Sequence, residues 1–473
     1  MSSLRARIPW LLLAASLILF ALAFWPGHMN GDTLAMLDEA SGDVPLNDHH
    51  SPLLVWIWSL GWPIGLRPGV ILVLQIAAFL SGAYLVARVG FGRLGAAIVA
   101  IAVALSPPVF GNLALVGRDV WFLDFLLLAF GCLAYAVRAP ARRRPALIAA
   151  VVFAVLCLFA RQNAAAAIIV FAVALAAILL SGRLERGRVL RVVAVAGAAV
   201  IGVVAALAFQ LGSTKAVGAD ARHPEQYVYL YDLAGLSVRE GESHFPRDVY
   251  PSGDVTTLAA QSSLDTIIPL AFGSGAAVPM PRPDDQVSEM RDAWLDEVES
   301  EPREYLEWRW DAFEKQIGVT GPGVWIFHPG IDPNEDGYHI AIPALNDVAV
   351  EYQELFADQY LNGHTFQLAW FYLLLALCAM VVLFVVPGPP RIVGALALST
   401  WTYQVGVFFG TMGTQWRFEF PVAAVSLCAA AVAAKVAYDR IRGERREPAE
   451  ERPLSEAGEP TRPAEVPTAS ASG

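Results

Sequence analysis

The sequence predicts an all-α polytopic membrane protein of about ten transmembrane helices, carrying a mixed α/β domain on its extracytoplasmic side. Three observations predict it. Hydrophobic residues make up 56% of the chain and charged residues only 16%, whereas soluble domains carry about 25% charged residues. The charges are clustered, which leaves windows of about 18 nearly uncharged residues, long enough to cross a hydrocarbon core about 30 Å thick. Lys and Arg then gather at every second connection between those windows, the pattern that marks cytoplasmic loops.

The windows are 8–25, 69–87, 94–110, 121–137, 146–160, 164–181, 192–211, 366–386, 392–410 and 420–438. Three of them, 94–110, 121–137 and 146–160, are short for a straight span. Arg5 and Arg7 precede the first window, Arg88 and Arg93 follow the second, and Arg138 and Arg142–Arg144 follow the fourth. Arg183–Arg191 follow the sixth, Arg391 separates the eighth and ninth, and Lys435–Arg446 close the last. Both termini are therefore expected in the cytoplasm, and the chain in the plasma membrane. RQN at 161–163 is read as an outward hairpin tip, because one helix through it would be about 54 Å long. The first window is longer than a signal-peptide core, and FWPGHMN has no small-residue cleavage pattern, so a retained span is expected.

These readings divide the chain into four parts. Residues 1–211 form an N-terminal membrane module whose first outer loop is 26–68. Residues 212–364 form an acidic extracytoplasmic domain, 365–438 form the C-terminal spans, and 439–473 form a polar tail expected to be disordered. Segment 212–364 holds 27 acidic and 9 basic residues, so the whole-chain charge of −11 hides a balance of +7 elsewhere. Such acidity excludes a nucleic-acid partner. Cys132, Cys157, Cys378 and Cys428 all fall in windows, so no disulfide framework holds the domain. In the domain, 290–298 and 306–317 are expected to be helices, the second with Leu306, Trp310, Phe313 and Ile317 on its apolar face. Runs such as YVYLY suggest strands.

The predicted topology sorts the polar residues. Asp32, Asp38, Glu39, Asp43, Asp48, His49 and His50 lie on the first outer loop, Arg118 and Asp119 on the second, Arg161 and Asn163 on the third, and Arg417 and Glu419 on the last. Asp124 falls about one turn into its span. All eight histidines are outer as well. Asp38, Glu39 and Asp43 read as a solvated helix face. His49 and His50 are adjacent and point different ways, so no metal site is assigned. Ionisable groups at a membrane are functional candidates by default. Arginines at the lipid–water boundary grip phosphate through paired, charge-assisted bonds, and a nearby carboxylate can take a proton from a hydroxyl. Neither GxxxxGK[ST] nor GxGxxG after a strand occurs, and the cytoplasmic loops are too short for a nucleotide-binding domain. An activated donor outside the cell is therefore expected to be a membrane lipid.

Several motifs carry a family resemblance. GDTLAMLDEA follows the first span, and DHHSPLLVWIW is similar to a D-x-H-P-P-L entry to a short helix. GRDVWF opens a middle span, RFEFP fits R-[FY]-x-x-P, and AWLDEVESEPREYLEWRWDAF is similar to helices of bacterial members. Together they resemble the GT-C superfamily of membrane glycosyltransferases that use polyprenyl-phosphate sugars, in particular the bacterial protein O-mannosyltransferase and aminoarabinose-transferase-like group. The sequence departs from the pattern with Ser51-Pro52 in place of Pro-Pro, and it has no plain D-x-D. The resemblance implies Asp32 and Asp48 as catalytic acidic residues. Arg118, Arg161 and Arg417 are then inferred donor-phosphate contacts, with His49, Asp119, Asn163 and Glu419 in support. It implies a polyprenyl-phosphate-linked sugar as donor and an extracytoplasmic glycan, lipid or protein as acceptor. No cofactor is expected to be required, although some relatives use a divalent metal. Residues 53–62 would lie in the interface, anchored by Trp56, Trp58 and Trp62. A lipid or polysaccharide transporter or flippase, and a non-catalytic scaffold, remain the rival readings.

Overall fold

The computed structural model describes residues 2–161, 164–180, 214–324 and 326–443, with single positions between 197 and 212. The C-terminal tail from 444 and Asn163 lie outside the described residues. The membrane module begins with α1 (Ser2–Phe24), followed by α2 (Gly31–Ser41) and α3 (Pro52–Gly61) of the first loop. Then come α4 (Pro68–Ala87), α5 (Arg93–Ala104), α6 (Pro107–Leu113), α7 (Arg118–Arg138), α8 (Arg143–Ala160) and α9 (Ala164–Leu180). The acidic domain contributes α10 (Gln226–Glu240), α11 (Asp284–Ser300), α12 (Pro302–Gln316) and α13 (Pro343–Leu361), among shorter turns. The chain then returns through α14 (Ala369–Val385), α15 (Pro389–Gly410) and α16 (Phe420–Ile441).

This is a multi-pass membrane protein. Among the described residues six helices are long and apolar enough to span a bilayer: α1, α4, α7, α8, α15 and α16. The window 94–110 is broken, with α5 and α6 meeting at 77°. Pro107 and Pro108 lack N–H groups and cannot continue the helix of α5. The Leu105 carbonyl freed at the break accepts a 2.8 Å hydrogen bond from the Tyr352 hydroxyl of α13. Counting α5–α6 as one crossing makes seven. The 17-residue helices α9 and α14 match two further windows, and window 192–211 lies almost wholly outside the described residues. Ten spans are therefore not reached among the described residues. Helices α4 and α7 pack closely where small residues admit the backbone of the neighbour. A Cβ at Gly82 would stand 2.7 Å from Leu127 Cβ, and one at Gly131 2.7 Å from Leu85 Cβ.

The acidic domain corrects two expectations. It is not mixed α/β: among the described residues there are only isolated bridges and no strands. YVYLY lies inside α10, where Tyr227, Leu230, Tyr231 and Ala234 are buried. That spacing fits a helix of 3.6 residues per turn, and the alternation of a strand was a coincidence of a short run. The apolar face of α12 also differs. Its buried residues are Tyr305, Trp308, Arg309, Ala312 and Gln316, while Leu306 and Trp310 are exposed. Apolar periodicity missed this face because two of its members are polar. Arg309 is fully buried and pairs with Asp232, which also accepts from the indoles of Trp294 (2.8 Å) and Trp308 (3.1 Å). Pairing and further hydrogen bonds offset the cost of burying such charges; among the described residues only Arg309 Nε of this group is left without a partner.

The two ends of the bundle differ chemically. At one end Arg138 bonds the Arg88 carbonyl, and Lys435 pairs with Asp439. The acidic domain sits on the other end. Arg309 donates to the Thr411 carbonyl at 2.8 Å, Phe313 packs on Phe408, and the Trp370 amide bonds the Ile317 carbonyl at 2.9 Å. The positive-inside rule then orients the molecule. In a cysteine-free background, Ser252→Cys on the domain surface is expected to react with an impermeant thiol reagent on intact cells, and Arg143→Cys to stay unlabelled. The opposite labelling would turn the molecule over in the bilayer.

Candidate active site at the domain-bearing end of the bundle

Asp32 stands in the first turn of α2, a favourable place for a negative charge. Asn30 caps that helix by accepting from the Thr33 amide at 3.0 Å. The capping segment is held on both sides by backbone. His28 exchanges hydrogen bonds with Ala114 (2.9 Å) and Val116 (3.0 Å) just before α7. Met29 does so with Gly330 and Asp332 (both 2.9 Å) in the acidic domain. Arg417 is held in a parallel way. The Val324 amide bonds the Thr414 carbonyl at 2.8 Å, and the Trp416 amide bonds the Val324 carbonyl at 3.2 Å. Segment 324–332 thus clips the beginning and the end of the chain together. Arg417 Nη1 consequently lies 2.6 Å from Asp32 Oδ2, across 385 residues of sequence.

Asp32 and Arg417 border a cavity of about 250 Å³, whose polar lining also includes Asn30, Asn112, His328, Asp332 and Gln415. Arg417 Nε is buried and has no hydrogen-bond partner among the described residues, and the guanidinium has donors beyond the one it gives to Asp32. Burial alone would raise the Asp32 pKa. The fields of Arg417, Arg118 and His50, with the hydrogen bond from Arg417, outweigh burial and hold it far below the usual carboxylate range. Arg118 opens α7 after Gly117 and donates to the His49 carbonyl at 3.3 Å. His49 packs edge-on to His50 and Tyr227. Burial, His50 and Arg118 push its pKa down to about 4, so it is neutral at physiological pH.

The other sequence candidates sit elsewhere. Arg161 pairs with Asp119, both buried, and its guanidinium lies over the rings of Phe418 (4.6 Å) and Tyr403 (5.9 Å). The pair does not line the cavity. Asp48 is turned away: its backbone pairs with Asp220, and its carboxylate takes the Arg222 amide, which fastens the entry to the acidic domain. Burial raises its pKa against the effect of that bond. Glu419 does not pair with Arg417. It accepts 2.8 Å bonds from the amides of Gln316 and Gln404, and its pKa is raised by burial to about 8. Of the three tryptophan anchors of α3, Trp58 is core and Trp56 is exposed, while Trp62 carries Arg67 stacked 4.1 Å from its ring.

Glu39 was read as part of a solvated face, and this is wrong. It is buried, accepts from the Asn47 side chain at 2.9 Å, and lies 3.0 Å from His50 Nδ1. The loop folds back over α2 and covers that face, which periodicity within α2 could not foretell. Asp332 and His328 were also missed. The available signal was a His and an Asp inside the turn-rich segment HPGIDPNEDG, but nothing local tied that segment to Asp32.

No family model and no curated protein matches the chain. Among solved structures it is similar to the archaeal oligosaccharyltransferase AglB from Archaeoglobus fulgidus, determined with an inhibitory peptide and a dolichol-phosphate. The likeness covers 93% of this chain and 51% of that one, at 14% identity and a TM-score of 0.41. The chain thus spans about half the length of that protein, and at this level of likeness the site has to be read from its own residues.

Two outcomes are expected. Arg161→Ala should destabilise the detergent-purified protein by about 3–5 kcal/mol, because Asp119 is left buried and unpaired. Thermal unfolding measures this, and an unchanged midpoint would show that the pair does not hold the site. The raised pKa of Glu419 contributes stability in acid that is lost as pH rises from about 4.5 through about 8. The buried, unpartnered Gln404 Oε1 can accept the carboxyl proton if its amide turns over. Glu419→Gln should therefore match the parent near pH 5 and exceed its melting temperature near pH 9. Parallel pH profiles would refute the assignment.

Proposed function

We propose that this protein is an integral membrane glycosyltransferase of the GT-C type. In this reading it moves a sugar from a polyprenyl-phosphate donor to an acceptor hydroxyl outside the cytoplasm. The observation that carries the reading is the Arg417–Asp32 pair on the rim of a cavity at the domain-bearing end of the bundle. The resemblance to the superfamily implies Asp32 as the catalytic acidic residue, and Arg417 is the donor-phosphate contact inferred beside it. Arg417, with Arg118 beside it, would take the donor phosphate through charge-assisted bonds. The acceptor hydroxyl attacks the anomeric carbon, and the sugar–phosphate bond breaks. The phosphate leaves with the electron pair, and the hydroxyl proton passes to Asp32. Arg161 and Asp119 support this layer. Asp48, once a second base candidate, is better suited to holding the loop.

The ion pair imposes an order on these events. While Arg417 holds Asp32, the carboxylate is a weak base, since basicity falls with pKa. A phosphate that engages Arg417 competes with Asp32 and restores its basicity, so donor binding readies the proton acceptor. Asp32→Asn is then expected to lower transfer by about 10²–10⁴-fold and to tighten binding of the donor phosphate, because Arg417 is released. Arg417→Ala should weaken donor binding, and Arg417→Lys should restore it only in part, since the paired donors are lost. A folded Asp32→Asn protein with full activity would remove Asp32 from the mechanism. Accumulation of a polyprenyl-phosphate sugar in a deletion strain, with loss of one envelope glycan, would identify donor and acceptor.

One observation favours the transporter reading. Asp124 is fully buried in α7, and neither of its oxygens has a hydrogen-bond partner among the described residues. A lone carboxylate inside a span is a feature of proton-coupled transport. Asp124→Asn distinguishes the readings: a transferase keeps its rate, and a proton-coupled carrier loses it.

A further inference from the structure

A second cluster of chemistry-bearing residues lies in the acidic domain, outside the candidate active site. Helix α10 ends at Glu240, and Gly241 reverses the chain in the left-handed region with φ of 77°. The reversal folds Glu242 and His244 back toward Glu240. One ligand atom from each of the three lies within 4.8 Å of the others. The loop is anchored by the His244 amide, which donates to Ser237 Oγ at 3.0 Å.

The imidazole is the informative member. Its side chain is 9% exposed, and Nδ1 lies 2.7 Å from Glu297 Oε1 of α11. Nε2 is buried and has no hydrogen-bond partner among the described residues. It lies 3.2 Å from Glu240 Oε2, near enough for a hydrogen bond but off the line that one requires. That separation suits two ligands of one small ion. Zn–N and Zn–O bonds of about 2.0–2.2 Å set about tetrahedrally place neighbouring donor atoms about 3.3–3.5 Å apart. A carboxylate behind the far ring nitrogen is also the usual way in which a metal-bound histidine is oriented. Three carboxylates surround one imidazole here, and the nearby Arg239 is engaged by Asp311. The charge therefore favours a cation.

We propose that Glu240, Glu242 and His244 bind a first-row divalent cation of the zinc class, with Glu297 fixing the imidazole from behind and water completing the shell. One imidazole with two carboxylates selects such a metal over calcium or magnesium, which favour all-oxygen shells. The ion would staple the end of α10 to α11, which gives the acidic domain a cross-link that its lack of cysteines denies it. The site is independent of the glycosyltransferase reading and stands or falls separately.

The test uses the full-length protein in detergent, stripped with a chelator and titrated with Zn²⁺ alone by calorimetry. One binding event is expected, together with a rise in melting temperature on adding zinc. His244→Ala should abolish both, and Glu297→Ala should weaken binding about 10–100-fold. Glu242→Gln, a change at an exposed position, should weaken binding without altering the melting temperature of the metal-free protein, which guards against misfolding as the cause. Absence of zinc binding to the parent would overturn the proposal. So would binding that survives unchanged in His244→Ala, because the ion would then sit elsewhere, at the His49–His50 loop for example.

Discussion

A hydrocarbon layer tolerates neither isolated charge nor unpaired backbone, and the architecture follows from that constraint. Polar chemistry is driven to the ends of the helices. The groups that remain near the layer are paired: Arg161 with Asp119, Arg417 with Asp32, and Glu419 with two glutamines. The one span that breaks inside the layer, between α5 and α6, has the carbonyl at its break taken by Tyr352. Asp124 is a charged-type group in a span with no hydrogen-bond partner among the described residues, and for that reason it bears on function.

The acidic domain does more than cover one end of the bundle. Its segment 324–332 lies between the loop after α1 and the loop before α16 and bonds the backbone of both. Trp416 strengthens the same junction: its indole donates to the Pro108 carbonyl at 3.0 Å, and its ring packs on Phe356 and Tyr360 of α13. A site assembled from Asp32 and Arg417 is held by these contacts and not by either loop alone. Placing reactive groups on mutually braced segments limits the reorganisation needed when charge develops.

Electrostatics gives the cavity its character. Arg417 and Arg118 act on Asp32 and favour its charged form against the cost of burial. In the proposed reading the Arg417 guanidinium, which lines the cavity, is the group a phosphate would meet. The neutral His49 contributes shape there and no charge. In the proposed reading a single guanidinium both binds the donor and restrains the base, so that the two substrates are coupled through one ion pair.

Much of this was legible in the sequence, because hydropathy and basic residues act locally. The windows 8–25, 69–87, 121–137, 146–160, 392–410 and 420–438 coincide with helices long enough to span, and the gathering of Asp32, Arg118 and Arg417 at one end follows from counting spans. Helices at 290–298 and 306–317 were likewise expected and are found, although the second buries a different face from the one its apolar periodicity marked. Tertiary structure alone decided the pairings. Arg417 joins Asp32 and leaves Glu419 two residues away to the glutamines, a choice that depends on segment 324–332 arriving from the acidic domain. Glu39 is buried because a loop folds over it, and Arg309 is buried because Asp232 meets it from another helix. Period and composition describe how one element meets its solvent. Which charged group meets which is set by contacts between segments far apart in the chain, and no local pattern encodes those.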